Sequence, residues 1–408
     1  MSHLAFLEKL LDGVEVEWLS LGNITQYQQP TKYLVKTKNY DDAFKTPVLT
    51  AGKTFLLGYT DEKEGINKAS ENSVIIFDDF TTANKWVDFD FKVKSSAMKM
   101  IYSEDIEKFS LKYICYWLNT QPSGLVEGDH KRQWISIFCN KTIPIPCPEN
   151  PEKSLAIQTE IVRILDTFTE LTTELTTELK ARQKQYNYYR DKLLSFDEGQ
   201  VEWKTLGDVV VKTYSGATPK AGNSKYYDNG SIPWLRTQEV KFIDIENTAV
   251  KITQAAVDET AAKWIPENCV IIAISGATAG RSSINKIPLT TNQHCLCLEI
   301  DRAKTDYKYV FHWVYKNYET LKSLGRGPRG DLNSAIIKAF KIPIPFAEDK
   351  EKSLAEQKRI VTILDKFDTI TSSITQGLPR EIELRQKQYE YYRDMLFNFP
   401  KPEKDEAV

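Results

Sequence analysis

One long pattern occurs twice in this chain of 408 residues, and that repetition constrains the fold more than any other feature. The first copy reads IPIP (Ile143 to Pro146), EKSLAIQTEIVRILDTF (Glu152 to Phe168) and RQKQYNYYRDKLLSF (Arg182 to Phe196). The second reads IPIP (Ile342 to Pro345), EKSLAEQKRIVTILDKF (Glu351 to Phe367) and RQKQYEYYRDMLFNF (Arg385 to Phe399). The offset grows from 199 (Phe168 to Phe367) to 203 (Arg182 to Arg385), so the second copy carries four extra residues between its halves. A shorter echo links VEWLSLG (Val16 to Gly22) to VEWKTLG (Val201 to Gly207), and Lys9-Leu10-Leu11 to Lys192-Leu193-Leu194. The N-terminus therefore reads as the tail of the same repeat, as if the chain were circular, an arrangement able to give a monomer with approximate two-fold symmetry. The segments between, roughly 20–150 and 205–350, resemble each other far less: a constant frame holds two variable inserts.

The frame is helical. Ile161, Ile164, Leu165, Phe168, Leu171, Leu175 and Leu179 recur at three-to-four spacing, and Ile360, Ile363, Leu364, Phe367, Ile370 and Ile374 repeat the stripe. Ser154 is the expected N-cap of the first helix, and Gly377-Leu378-Pro379 should break the second. Read as one helix, Ser154 to Phe196 extends about 60 Å. Two such stripes should pair antiparallel as a coiled coil; the competing reading is two surface helices on separate cores. The first helix also contains TELTTELTTEL (Thr169 to Leu179), a four-residue unit in tandem, which suits a spacer because one unit adds about 6 Å and about 40° of rotation.

The inserts read as mixed α and β. Ser73 to Phe77, Val87 to Val93, Cys269 to Ser275 and Cys295 to Ile300 look like strands, the second by clean alternation with Val87, Phe89, Phe91 and Val93 inward. Leu111 to Asn119 and Tyr307 to Asn317 look like matched helices. The fold class expected is α+β, with two similar mixed domains separated by two long antiparallel helices.

Charge excludes a polybasic coat, since 54 Lys and Arg face 56 Asp and Glu, but a local basic face would still serve nucleic acid. The six cysteines include no CxxC pair, the four histidines are scattered, and no window has the apolar run of a signal or membrane span; a reducing cytoplasmic setting without membrane contact is expected. Gly52-Lys53-Thr54 lacks the first glycine of a P-loop, Pro47 standing there, and the GxGxxG match at Gly325 to Gly330 follows a helix rather than a strand. Asp78 or Asp79 with Asp90 and Lys92 has the look of a nuclease set, against the plainer reading of a two-faced strand. No readable nucleophile and base, metal cluster or methyltransferase signature occurs, so catalysis by this chain is not expected.

What remains is a series of polar loops in both inserts whose side chains suit DNA: Arg pairs bidentately with guanine, Asn and Gln with adenine, Asp accepts from cytosine, and Lys holds phosphates. In the first insert the candidates are Thr50, Lys53, Asp78, Asp79, Thr81, Thr82, Asn84, Lys85, His130, Lys131, Arg132, Gln133 and Trp134. In the second they are Arg236, Gln238, Ser275, Thr278, Arg281, Asn292, Gln293, Arg326 and Arg329.

Two variable inserts framed by IPIP, an EKSLA helix and a closing RQKQY.YYRD segment closely resemble the specificity subunit of type I restriction-modification systems, and the tandem TELT units resemble the spacer of its IC branch. The resemblance runs from the VEW segment to Phe399. It implies target recognition domains at 19–152 and 198–352, a central spacer helix at 153–197, a C-terminal helical region at 353–399, an N-terminal helical segment at 1–18 and a tail at 400–408. It further implies a non-catalytic prokaryotic subunit bound to double-stranded DNA, two modification subunits and restriction subunits. S-adenosylmethionine then belongs to the modification partner, and ATP and Mg²⁺ to the restriction partner. A scaffold that does not read DNA and a stand-alone Mg-dependent nuclease are the alternatives.

Overall fold

The computed structural model describes residues 9–11, 13–50, 54–122, 132–197, 199–327, 330–373 and 376–400. Five helices matter: α1 (Leu111–Leu118), α2 (Pro151–Leu193), α3 (Tyr307–Lys316), α4 (Lys350–Ser372) and α5 (Gly377–Leu396). The chain divides into two compact units, one of residues 1–173 with 383–408 and one of 174–382, so α2 contributes to both.

In the first unit an antiparallel sheet takes the order Thr25–Gln28, Met98–Ser103, Val74–Asp78, Asn84–Val87, and a smaller sheet the order Leu56–Thr60, Thr46–Leu49, Lys92–Val93. The core joins Ile75, Phe77 and Ile101 from the sheet to Tyr113, Ile114 and Trp117 of α1. In the second unit a five-stranded sheet runs Val210–Tyr214, Cys295–Ile300, Val270–Ala273, Ser282–Asn285, Asp244–Ile245, beside a three-stranded one of Val250–Ile252, Ile232–Leu235 and Thr290–Thr291. Its core joins Val270, Ile272 and Leu298 to Tyr309, Val310 and Trp313 of α3.

The repeat motifs acquire physical reasons in both units. VEW pairs antiparallel with IPIP, Trp18 opposite Pro144 in one unit and Trp203 opposite Pro343 in the other. Proline lacks a donor and so suits a two-stranded ribbon, which has no inner strand. The carbonyl of each of those prolines is instead bonded by a buried tyrosine, Tyr113 at 2.7 Å and Tyr309 at 2.9 Å. The Ser-x-x-x-Gln of EKSLA.Q is wholly internal. Gln158 accepts from Ser110 N, at the N-cap of α1, and donates to Ser154 Oγ; Gln357 accepts from Asp306 N, at the N-cap of α3, and donates to Ser353 Oγ. Each glutamine therefore satisfies a backbone donor where a helix begins, which a buried helix end requires.

The apolar stripes are divided between domain cores and helix pairing. Ile161 and Leu165 are buried in the first core with Leu396, Phe397 and Phe399, and Phe168 stacks on Tyr392 of α5 at 5.1 Å. Ile360 and Leu364 are buried in the second, and Phe367 stacks on Tyr189 of α2 at 5.3 Å. Leu171 and Leu175 are half-buried. Ile370, expected in the stripe, is 39% exposed, and Ile374 lies outside the described residues. The break at Gly377 is present: α4 stops at Ser372, and Gly377 has φ of 78°, where an added Cβ would lie 2.3 Å from Thr369 O. In the first unit Trp18 Nε1 donates to Pro400 O at 3.0 Å, tying VEW to the far end of the chain.

Two local expectations are corrected. Ser154 lies inside α2, which begins at Pro151; the cap belongs to Asn150, whose Oδ1 accepts from Lys153 N. Val87 to Val93 is not one strand but the ends of two, Asn84–Val87 and Lys92–Val93, and Phe89 is 40% exposed. The alternation fails because Lys92 is buried, its ammonium 3.0 Å from Glu62 and donating to Glu64 O.

One half-buried carboxyl, its Oδ1 shielded from solvent, gives α4 a pH dependence. Asp368 is pushed up to about 6, mainly by burial and against the pull of His312, and its Oδ1 has no hydrogen-bond partner among the described residues. A carboxyl raised in the folded state is neutral in both states at acid pH, so its cost appears as pH rises from about 4 to about 6 and is full above that. Asp368→Asn should therefore stabilise the chain by about 2 kcal/mol at neutral pH and by much less near pH 4. Urea melts at both pH values measure this, and equal gains at the two would contradict it.

Candidate nucleic-acid interface

In the first unit the hairpin turn after Val74–Asp78 is built by its own acids. Asp78 Oδ1 accepts from Phe80 N and Thr81 N at 2.8 and 3.0 Å, and Thr82 takes a left-handed φ of 59°. Asp79 accepts from Trp134 N at 2.9 Å, its carbonyl accepts from Gln133 N, and its Oδ2 lies 3.4 Å from Lys99 Nζ. Trp134 packs edge-on to Phe77 with centroids 5.1 Å apart. Asp78, Asp79, Thr82, Gln133 and Trp134 are all buried, so these candidates hold the loop and do not face a duplex. They present instead the exposed Thr81, Lys85 and Arg132, with Asn84 half-buried and accepting from Cys115 Sγ.

Thr50 donates through its hydroxyl to Thr54 O, closing the neighbouring loop. That loop and the Asp78 turn flank one segment, since Lys94 N donates to Leu49 O and Asp79 N to Ala97 O. Lys94 belongs to that segment, and no local signal in the sequence marks it. Lys53, His130 and Lys131 lie outside the described residues.

In the second unit the structure draws the candidate loops together. Beyond Val270–Ala273, Ile274 N donates to His294 O, Leu332 N donates to Ile274 O, and Gly276 N donates to Asp331 Oδ1. Arg326 and Asp331 exchange backbone bonds, and Asn292 N donates to Leu235 O beside Arg236. The loops bearing Arg236, Ser275 to Arg281, Asn292 to His294 and Arg326 thus share one end of the sheets. Gln238, Gln293 and Arg326 are exposed, Arg236, Ser275, Thr278 and Arg281 half-buried; Arg329 lies outside the described residues. Asn292 is 8% exposed and its Oδ1 is taken by His294 N, so it is a loop brace and leaves the candidate set. Glu239 holds Arg236, accepting from its backbone N and standing 3.7 Å from its guanidinium.

A fifth loop, without a counterpart among the sequence candidates, completes this cluster. Ser215 Oγ donates to Gln293 O, Thr218 Oγ1 donates to Gln293 Oε1 at 2.7 Å, and Gly216 lies between them. A Cβ on Gly216 would sit 1.7 Å from Thr291 O. Gly216→Ala should therefore push this loop off Gln293 and weaken DNA binding. Retention equal to the parent chain, by filter binding, would show that the close approach is dispensable.

The other chemistries are not assembled here. Asp90 is engaged by Lys68 and Ser70, Lys92 by Glu62 and Asp78 by its own turn, and no group of His, Cys, Asp and Glu able to hold a metal occurs among the described residues. Burial pushes the Cys115, Cys269 and Cys295 thiols up to about 12, which keeps them protonated and unreactive. No helix among the described residues is long and apolar enough to cross a membrane.

Two α+β units with loops of Arg, Lys, Gln and Thr on a repeated frame define a DNA-recognition architecture, and sequence comparison agrees. Residues 13–184 and 199–384 each match the type I restriction modification DNA specificity domain. The chain belongs to this family of type I restriction-modification specificity subunits. It is 56% identical over 409 residues to the specificity subunit of the type I restriction enzyme EcoR124I/EcoR124II of Escherichia coli, covering 99% of each. It is 32% identical over 413 residues to the EcoprrI specificity subunit of the same organism, covering 92% of this chain and 93% of that one. The fold matches the crystal structure of the type I S subunit from M. genitalium, with a TM-score of 0.64 at 16% identity over 96% of this chain and 98% of the other.

Proposed function

We propose that each unit reads one half of a bipartite, gapped duplex target, and that the helices set the gap and dock two modification subunits, with restriction subunits completing the nuclease. The observation that carries this reading is the contrast between frame and loops. Ribbon, buried glutamine and tyrosine-to-proline bond recur in both units, while the exposed loops differ in sequence, as two different half-sites demand. Arg281 and Arg326 in one unit and Arg132 in the other offer the bidentate donors that suit guanine, and Lys85 suits a phosphate. Half-sites one helical turn apart, about 34 Å, would leave the bases between them unread. This chain performs no chemistry in this reading. S-adenosylmethionine is assigned to the modification subunit, which takes the adenine out of the stack, and ATP and Mg²⁺ to the restriction subunit.

The test is to co-express the chain with its modification subunit and map methylated adenines across a genome. A gapped two-part motif that depends on this chain is expected. A stable complex that methylates without such a motif would favour a scaffold. Arg326→Ala should relax one position of one half-site at a cost of about 1–3 kcal/mol and leave the other half-site unchanged. Unaltered DNA retention and motif would remove Arg326 from the interface.

A further inference from the structure

The two copies of the repeat permit a comparison inside one chain. Between Glu152–Phe168 and Glu351–Phe367 five of seventeen positions differ: the exposed Thr159, Arg163 and Thr167 stand against Lys358, Thr362 and Lys366, Glu160 against Arg359, and Ile157, buried in the first unit, against the half-buried Glu356. Surface substitutions hardly affect stability, so exposed positions are free to drift where nothing besides the fold holds them. Between Arg182–Asp191 and Arg385–Asp394 the pattern changes. Only Asn187 against Glu390 differs, although Lys184, Tyr188 and Asp191 are exposed and so are Lys387, Tyr391 and Asp394.

Positions 184, 188 and 191 follow i, i+4, i+7 spacing and share one helix face, opposite the face that buries Tyr186. Tyr188 is 57% exposed and Tyr391 52%. The geometry is the same twice. Tyr188 stands edge-on to Tyr189, and Tyr391 to Tyr392, each pair at 5.4 Å; Arg190 bonds Asp191, and Arg393 bonds Asp394; Arg182 donates to Gln185, and Arg385 to Gln388. The fold does not require an outward tyrosine flanked by a lysine and an aspartate. A partner does: tyrosine is the residue type enriched where protein interfaces carry most of their energy, and a lysine and aspartate beside it fix orientation.

We infer that Lys184–Tyr188–Asp191 in one unit and Lys387–Tyr391–Asp394 in the other are the contact points for two copies of one protein, the modification subunit. The inference rests on the docking role proposed above and assigns it to these residues. Identical stripes call for identical partners, one on each unit.

Native mass spectrometry of the chain co-expressed with its modification subunit tests it. The parent chain should carry two partner copies, Tyr188→Glu one, Tyr391→Glu one and the double variant none, with thermal unfolding of the isolated chain unchanged. If the glutamates disturb folding, Lys184→Glu with Lys387→Glu serves as the second pair, with the same loss of partners expected. Two copies retained by folded double variants would overturn the assignment and leave the docking role standing. A parent chain that takes up no modification subunit would overturn the docking role itself. Self-association of the chain abolished by the same substitutions would show that a second copy of the chain, and not the modification subunit, occupies the stripe.

Discussion

Deleting Thr173 to Thr176, one tandem unit of α2, should shift the preferred gap between half-sites by about one to two base pairs and leave the half-site sequences alone. Four residues of helix rise about 6 Å and turn about 40°, against about 3.4 Å per base pair. The division between the two compact units falls inside this segment, between Thr173 and Glu174, so the deletion removes no residue of either sheet. Leu175 within it and Leu171 before it are only half-buried, and the helix can lose a unit without opening a core. Competition between duplexes of different gap length measures the effect. Full-strength binding to the original gap would sink the spacer reading.

Lys99→Met should cost the first unit about 3–5 kcal/mol by leaving a buried carboxylate uncompensated. Lys99 and Asp79 are 1% and 3% exposed with 3.4 Å between charges, and the Lys99 ammonium also lies over the Tyr27 ring. Asp79 is the brace between the hairpin turn and Trp134, so the damage should spread to the loops carrying Thr81 and Arg132. Adding Asp79→Asn should recover much of the loss, because the orphaned charge goes while an acceptor for Trp134 N remains. Chemical denaturation of the single and double variants checks both; a neutral Lys99→Met would mean that solvent reaches the pair.

The frame is legible in the sequence because it occurs twice. Leu111–Leu118, Tyr307–Lys316 and Cys295–Ile300 lie where local pattern puts them, because each buries one face on a neighbouring element. The ribbons are not legible, since Trp18 meets Pro144 and Trp203 meets Pro343 across more than a hundred residues and no local signal links them. Loop composition misleads in a consistent way. Asp78, Asp79, Gln133 and Asn292 look like exposed polar residues but spend their side chains on backbone donors or bury them, a choice made by tertiary contacts. The same limit hides Ser215, Gly216 and Thr218, which join the second cluster only once Gln293 is in place.

The bond from Trp18 to Pro400 bears on the order in which the molecule comes into being. The second unit is one uninterrupted stretch, 174–382, and all of its contacts exist once that stretch has left the ribosome. The first unit needs Leu396, Phe397 and Phe399 for its core, so although its sheets are synthesised first it cannot finish until those residues have emerged. The first unit therefore stays incomplete while the second, made later, can already fold, and every nascent chain repeats that inversion of birth order and maturity.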